Sequence, residues 1–140
     1  MVHINANSGK VINEIDYSPF YVGELSPTGE MVTYYDTDQR HSKQFLFAGE
    51  TATKKELLKT PLDYRMTSAN AFSPDGKYMA EAVTGKIINV WDLALKTIVY
   101  SLKDNGAIKL LKFNASGNRL LSSNVYGDIR VWDFKQQVLR

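Results

Sequence analysis

Three observations predict an all-β chain built from a repeated four-stranded antiparallel unit. Two separate motifs recur at one spacing, short β-branched segments alternate with glycine-containing turns, and no segment carries convincing helical periodicity. Phe72-Ser73-Pro74-Asp75-Gly76 returns as Phe113-Asn114-Ala115-Ser116-Gly117, 41 positions later. Asn89-Val90-Trp91-Asp92-Leu93 returns as Arg130-Val131-Trp132-Asp133-Phe134, again 41 positions later. One five-residue match is weak, but two unrelated matches at one offset define a repeat. A fainter copy, Leu25-Ser26-Pro27-Thr28-Gly29, lies 47 positions before the Phe72 motif.

The strands follow in order within each copy. Lys77–Val83 matches Arg119–Val125, each run being preceded by a turn in which Gly76 or Gly117 supplies a backbone conformation that other residues resist. Lys86–Trp91 and Asp128–Trp132 form the next strands, rich in β-branched and aromatic residues. Thr97–Leu102 is the fourth. Thr53–Leu62 comes nearest to a helix, but its place in the repeat predicts a strand. Four short strands in about 41 residues is the pattern of a propeller blade, a sheet that must stack on neighbours to bury both faces.

Residues 1–15 then read as the end of a preceding blade, 17–60 and 64–102 as blades, and 107–140 as a blade lacking most of its last strand. About three to three and a half blades leave an incomplete ring, since closure takes roughly 4–8.

Composition narrows the function classes. Lys plus Arg number 17 against 15 Asp plus Glu, a net charge of +2, so no electrostatic case for nucleic acid or an anionic membrane arises. The basic cluster Lys54, Lys55 and Lys59 sits beside Glu50 and Glu56 and reads as a solvated edge. Absence of cysteine excludes disulfides, thiolate metal sites and cysteine nucleophiles. No apolar run approaches the roughly 20 residues that cross a bilayer, and Met1–Asn5 lacks the character of a signal peptide. The expectation is a cytoplasmic protein.

Reactive groups are sparse. His3 and His41, 38 positions apart on different repeats, give no local ligand spacing, so no metal site and no cofactor are expected. No Gly-x-Ser-x-Gly elbow occurs, and Ser8-Gly9-Lys10 lacks the upstream glycine of a phosphate loop. Asp36 and Asp38 read as loop residues rather than an acid–base pair. The turn Asp36-Thr37-Asp38-Gln39-Arg40-His41-Ser42 is longer than its counterparts around Gly85 and Gly127. It makes Asp36, Asp38, Gln39, Arg40 and His41 the candidate partner-binding residues.

The motifs resemble the WD40 family across Tyr64–Arg140, and more faintly across Tyr17–Thr60, where Phe45-Leu46-Phe47 takes the place of the tryptophan strand. Phe72-Ser73-Pro74-Asp75-Gly76 is similar to the family's link between first and second strands, and Trp91-Asp92 and Trp132-Asp133 to its naming dipeptide. The resemblance implies structural roles for Trp91, Asp92, Trp132, Asp133, Gly76 and Gly117, and it puts the long turn on the face that often engages partners. Where the family carries Gly-His, this chain has Leu62-Asp63 and Lys103-Asp104. Where it carries a turn Asp, this chain has Gly85 and Tyr126, so the family's hydrogen-bonded tetrad is expected to be absent. The implied function is a non-catalytic protein–protein interaction scaffold. The alternative is the propeller portion of a larger enzyme or of an RNA- or ribosome-associated assembly. The unfinished ring leaves three explanations open: a fragment or one stretch of a larger assembly, self-association into a closed ring with Lys10–Ile15 supplying the outer strand of a partner's last blade, or an open, capped arc.

Overall fold

The computed structural model describes residues 2–4, 11–18, 20–35, 44–62, 69–83 and 86–134. Its strands form four antiparallel sheets, each a meander in chain order. β1 (Val2–Ile4) pairs with β2 (Val11–Glu14). The first blade is β3 (Tyr21–Leu25), β4 (Met31–Tyr35), β5 (Gln44–Glu50) and β6 (Glu56–Leu62). The second is β7 (Asn70–Phe72), β8 (Tyr78–Val83), β9 (Ile87–Asp92) and β10 (Thr97–Lys103). The third, among the described residues, is β11 (Ile108–Phe113), β12 (Arg119–Asn124) and β13 (Ile129–Asp133). β3 lies against β7 and β7 against β11, so each blade's first strand sits beside the next and the sheets fan outward. The ring is not closed.

The same turn joins first and second strands in all three blades. Ser26 Oγ, Ser73 Oγ and Asn114 Oδ1 each accept the N–H of the residue that opens the next strand, Met31, Tyr78 and Arg119, at 3.0 Å. Gly29, Gly76 and Gly117 donate back to the same three residues' carbonyls at 2.9–3.0 Å, with φ of 76°, 74° and 75°. A side-chain acceptor followed three residues later by a left-handed glycine is therefore the physical content of the sequence repeat, including its faint first copy. Asp75 tightens the second copy by accepting from Lys77 N at 3.0 Å and Ser73 Oγ at 2.7 Å, which hold its carboxyl below the usual range.

Blades pack face to face. Leu46, Ala48 and Leu58 of the first blade meet Phe72, Met79 and Leu93 of the second, with Trp91 packed against them. Ala80, Ile88, Val90 and Leu102 of the second meet Ile108, Leu111, Phe113, Leu120 and Phe134 of the third, with Trp132 alongside. Both faces of the second blade are thus covered, which is why Met79 and Ala80, consecutive in sequence, are both fully buried. Each buried aliphatic or aromatic side chain contributes about 1.5–3 kcal/mol. Asp92 Oδ1 closes the turn after β9 by accepting from Ala94 N and Leu95 N at 3.0 and 2.9 Å.

Candidate functional site

The sequence-based candidates Asp36, Asp38, Gln39, Arg40 and His41 lie outside the described residues, as do residues 135–140. His3 belongs to β1. Among the described residues no group of three or more His, Asp or Glu side chains could hold a metal ion. An open cleft of about 500 Å³ lies between the first and second blades and carries Glu30, Glu50 and Asp75. Glu50 is engaged by the Thr53 hydroxyl at 2.6 Å and Asp75 by its own turn, and no histidine lines the cleft. No helix among the described residues is long and apolar enough to cross a membrane.

The tryptophans are held by polar chains built from residues other than those of the family's tetrad. Trp132 Nε1 donates to Ser122 Oγ at 3.0 Å, and that hydroxyl donates to Asp104 Oδ2 at 3.2 Å. Asp104 also accepts from Asn124 Nδ2 at 2.8 Å and from the backbone N–H groups of Asn105 and Gly106, while Arg130 Nε lies 3.7 Å away. Burial alone would raise the Asp104 pKa. The Asn124 and Asn105 bonds, with the Arg130 charge, outweigh it and hold the carboxyl below its ordinary value. Asp104 stands where the family pattern places histidine, so an anionic acceptor does the work of an imidazole. In the second blade Trp91 Nε1 donates to Glu81 Oε1 at 2.9 Å, and Thr60 of the first blade donates to Glu81 Oε2 at 2.8 Å, tying two blades together.

The first blade solves the same problem differently. Thr51 N, Leu93 N and Phe134 N donate to the carbonyls of Glu30, Lys77 and Asn118, which puts Gly49 at the tryptophan position. The Tyr34 ring fills the space, its edge 3.2 Å from where a Gly49 Cβ would stand. Tyr17 packs on Tyr34 at 5.2 Å between ring centroids, and its hydroxyl donates to the carbonyls of Glu50 and Thr51. Phe20 and Phe47 complete this aromatic cap.

The opposite end of the stack carries no such cap among the described residues. On the outward face of the third blade Leu110, Leu121, Ile129 and Val131 are 70%, 37%, 73% and 58% exposed. Leu121 pairs with Val131 across β12 and β13, as Ala80 pairs with Val90 across β8 and β9. The counterparts of Leu121, Ile129 and Val131 in the second blade are Ala80, Ile88 and Val90, which are 0–1% exposed. Sequence reading missed this surface, although the alternation of Leu121, Ile129 and Val131 on the last repeat carried the signal.

Comparison with known proteins agrees with the blade geometry. No family model matches the chain. Over 92 residues, 65% of the chain, it is 27% identical to periodic tryptophan protein 2 of Arabidopsis thaliana. Over 64 residues, 44% of the chain, it is 39% identical to protein transport protein SEC31 of Kluyveromyces lactis. The β-propeller domain of Cps50 (Swd1) from Myceliophteria thermophila superposes with a TM-score of 0.61 over 80% of this chain and 34% of that one, at 13% identity. The fold is that of a stretch of β-propeller, and the chain is similar to WD-repeat proteins. It spans only 10% and 5% of the lengths of the two curated relatives. Within the propeller the Asp104 and Glu81 networks are internal ties, whereas Leu110, Leu121, Ile129 and Val131 on the outward face of the third blade stand exposed.

Proposed function

We propose that this propeller segment is a non-catalytic scaffold for protein–protein interaction and that the outward face of its third blade is the contact surface. One observation carries the reading: four large aliphatic side chains stand exposed on a sheet face whose equivalent in the preceding blade is buried. A contiguous exposed apolar patch marks an interaction site more often than scattered apolar residues do. Glu50 and Asp75 of the inter-blade cleft serve turns, and no nucleophile–base arrangement accompanies them among the described residues, so the reading assigns the chain no reaction. Cytoplasmic residence and a second contact through Arg40 and His41 belong to the same proposal.

The test is partner capture with the tagged chain, comparing wild type, Ile129→Lys and Val131→Lys. Both side chains are exposed, so the variants keep the wild-type unfolding midpoint. Loss of specific partners with either variant is expected. Undiminished recovery with both assigns binding elsewhere, and Arg40→Ala with His41→Ala then addresses the long turn.

A further inference from the structure

Three turns of the first two blades meet around the inter-blade cleft. Glu30 comes from the β3–β4 turn, Glu50 and Thr51 from the turn after β5, and Asp75 from the β7–β8 turn. The volume of about 500 Å³ is that of a ligand pocket rather than a packing gap.

The cleft is acidic, and no lysine or arginine lines it among the described residues. Thr53 Oγ1 donates to Oε2 of Glu50 at 2.6 Å, while Ser73 Oγ and Lys77 N donate to Oδ1 of Asp75 at 2.7 and 3.0 Å. These bonds fix two carboxylates. They leave the second oxygen of each, and both oxygens of Glu30, without a hydrogen-bond partner among the described residues. The Lys77 N and Ser73 bonds, with the charge of exposed Lys77, hold the Asp75 carboxyl below its usual range. Lys54, from the same turn as Thr51, sends its ammonium to the Asp16 carbonyl and over the Tyr17 ring.

A second observation points to a ligand. Thr51 lines the cleft and is 1% exposed, and its Oγ1 has no hydrogen-bond partner among the described residues. A buried hydroxyl left unmet costs stability, so it marks a position where another group can gain a bond. The lining also has an apolar part. Leu57 belongs to it, and so does Met31, whose end lies 2.7 Å from where a Gly76 Cβ would stand.

The three carboxylates do not gather into a group that could hold a metal ion. A cation suited to this lining carries several donors in a plane, to reach acceptors from three turns, and an aliphatic stem for Met31 and Leu57. Arginine has both, whereas lysine has the stem with a compact ammonium. We infer that the cleft between the first and second blades binds an arginine side chain of a partner protein. Its guanidinium lies among Glu30, Glu50 and Asp75 and donates to the Thr51 hydroxyl, and its stem packs on Met31 and Leu57. The site lies apart from the third-blade face and rests on the scaffold reading only in taking a protein as its partner.

The probe is the peptide Gly-Leu-Arg-Leu-Gly, titrated into the full chain and followed by backbone amide NMR shifts. Saturable shifts at Glu30, Thr51 and Gly76 are expected. A citrulline counterpart, which keeps the shape and loses the charge, should bind about tenfold or more weakly. A lysine counterpart should bind more weakly than arginine as well. Glu30→Gln combined with Glu50→Gln, which keeps an acceptor for Thr53, should weaken the arginine peptide about tenfold. Thr51→Val should weaken it about threefold or more without lowering the unfolding midpoint, since the hydroxyl it removes is unsatisfied in the free chain. Equal binding of the citrulline peptide, or unchanged affinity in either variant, overturns the proposal. Equal or tighter binding of the lysine peptide overturns the choice of arginine. Calcium chloride that shifts the same amides at lower concentration than the peptide overturns it in favour of a metal site. Ile129→Lys should leave the titration unchanged. If the arginine peptide fails to bind while Ile129→Lys abolishes partner capture, the third-blade reading stands and only the cleft site falls.

Discussion

Trp91 and Glu81 stand on adjacent strands of the second blade, the indole Nε1 2.9 Å from the carboxylate Oε1. Burial pushes the Glu81 pKa up, against the lowering effect of the Thr60 and Trp91 bonds. A carboxyl whose folded pKa lies above its unfolded value favours folding most when protonated. Its contribution is complete below the ordinary value near 4.5 and is lost as pH rises through the folded pKa. Urea unfolding of wild type and Glu81→Gln across that range should show wild type losing stability relative to the variant as pH rises. A pH-independent difference sinks this account. Glu81→Ala should cost about 1–3 kcal/mol by leaving the Trp91 and Thr60 donors without their partner.

Asp104 has the opposite sign. Its folded pKa is lowered, so its contribution is present above the ordinary value near 3.8 and disappears as pH falls through the folded value. Asp104→Ala strips acceptors from Ser122, Asn124 and two backbone N–H groups, and should destabilise by about 2–3 kcal/mol in denaturant unfolding at neutral pH. Asp104→Asn, which keeps one carbonyl acceptor, should cost less.

How far this site could be read from sequence depends on locality. The turn motifs around Gly29, Gly76 and Gly117 were legible because each is closed by bonds within five residues. The tryptophan network was not, because it depends on chemical equivalence rather than residue identity: an aspartate at position 104 and a glutamate at 81 replace the expected partners. Gly49 was hidden for another reason. The longer turn between β4 and β5 changes the repeat spacing in the first blade, and only the register of β4 on β5 reveals which residue holds the tryptophan position.

Leu120 and Leu121 are neighbours in β12 with opposite fates, 0% and 37% exposed. Leu120→Ala should cost about 2–5 kcal/mol. Leu121→Ala should fall within about 0.5 kcal/mol of wild type. Thermal unfolding of the pair reads the facing of the sheet directly, and equal effects would contradict it.

Gly117 adopts φ of 75°, and a Cβ there would lie 3.4 Å from Pro74. Gly117→Ala should therefore destabilise by about 1–2 kcal/mol through backbone conformation alone. Gly76→Ala should cost at least as much, since its Cβ would also stand 2.7 Å from the end of Met31.

The Tyr17 cap has a consequence for how the molecule comes apart. In a stack held by nearest-neighbour interfaces, loosening starts at whichever terminal layer has least holding it. With its first layer pinned by Tyr17, the stack should fray from β13 inward, so amide exchange should be fastest in the third blade and slowest around Met79 and Val90. A propeller fragment built this way has a fixed polarity of melting, like a zipper with its stop sewn at one end only.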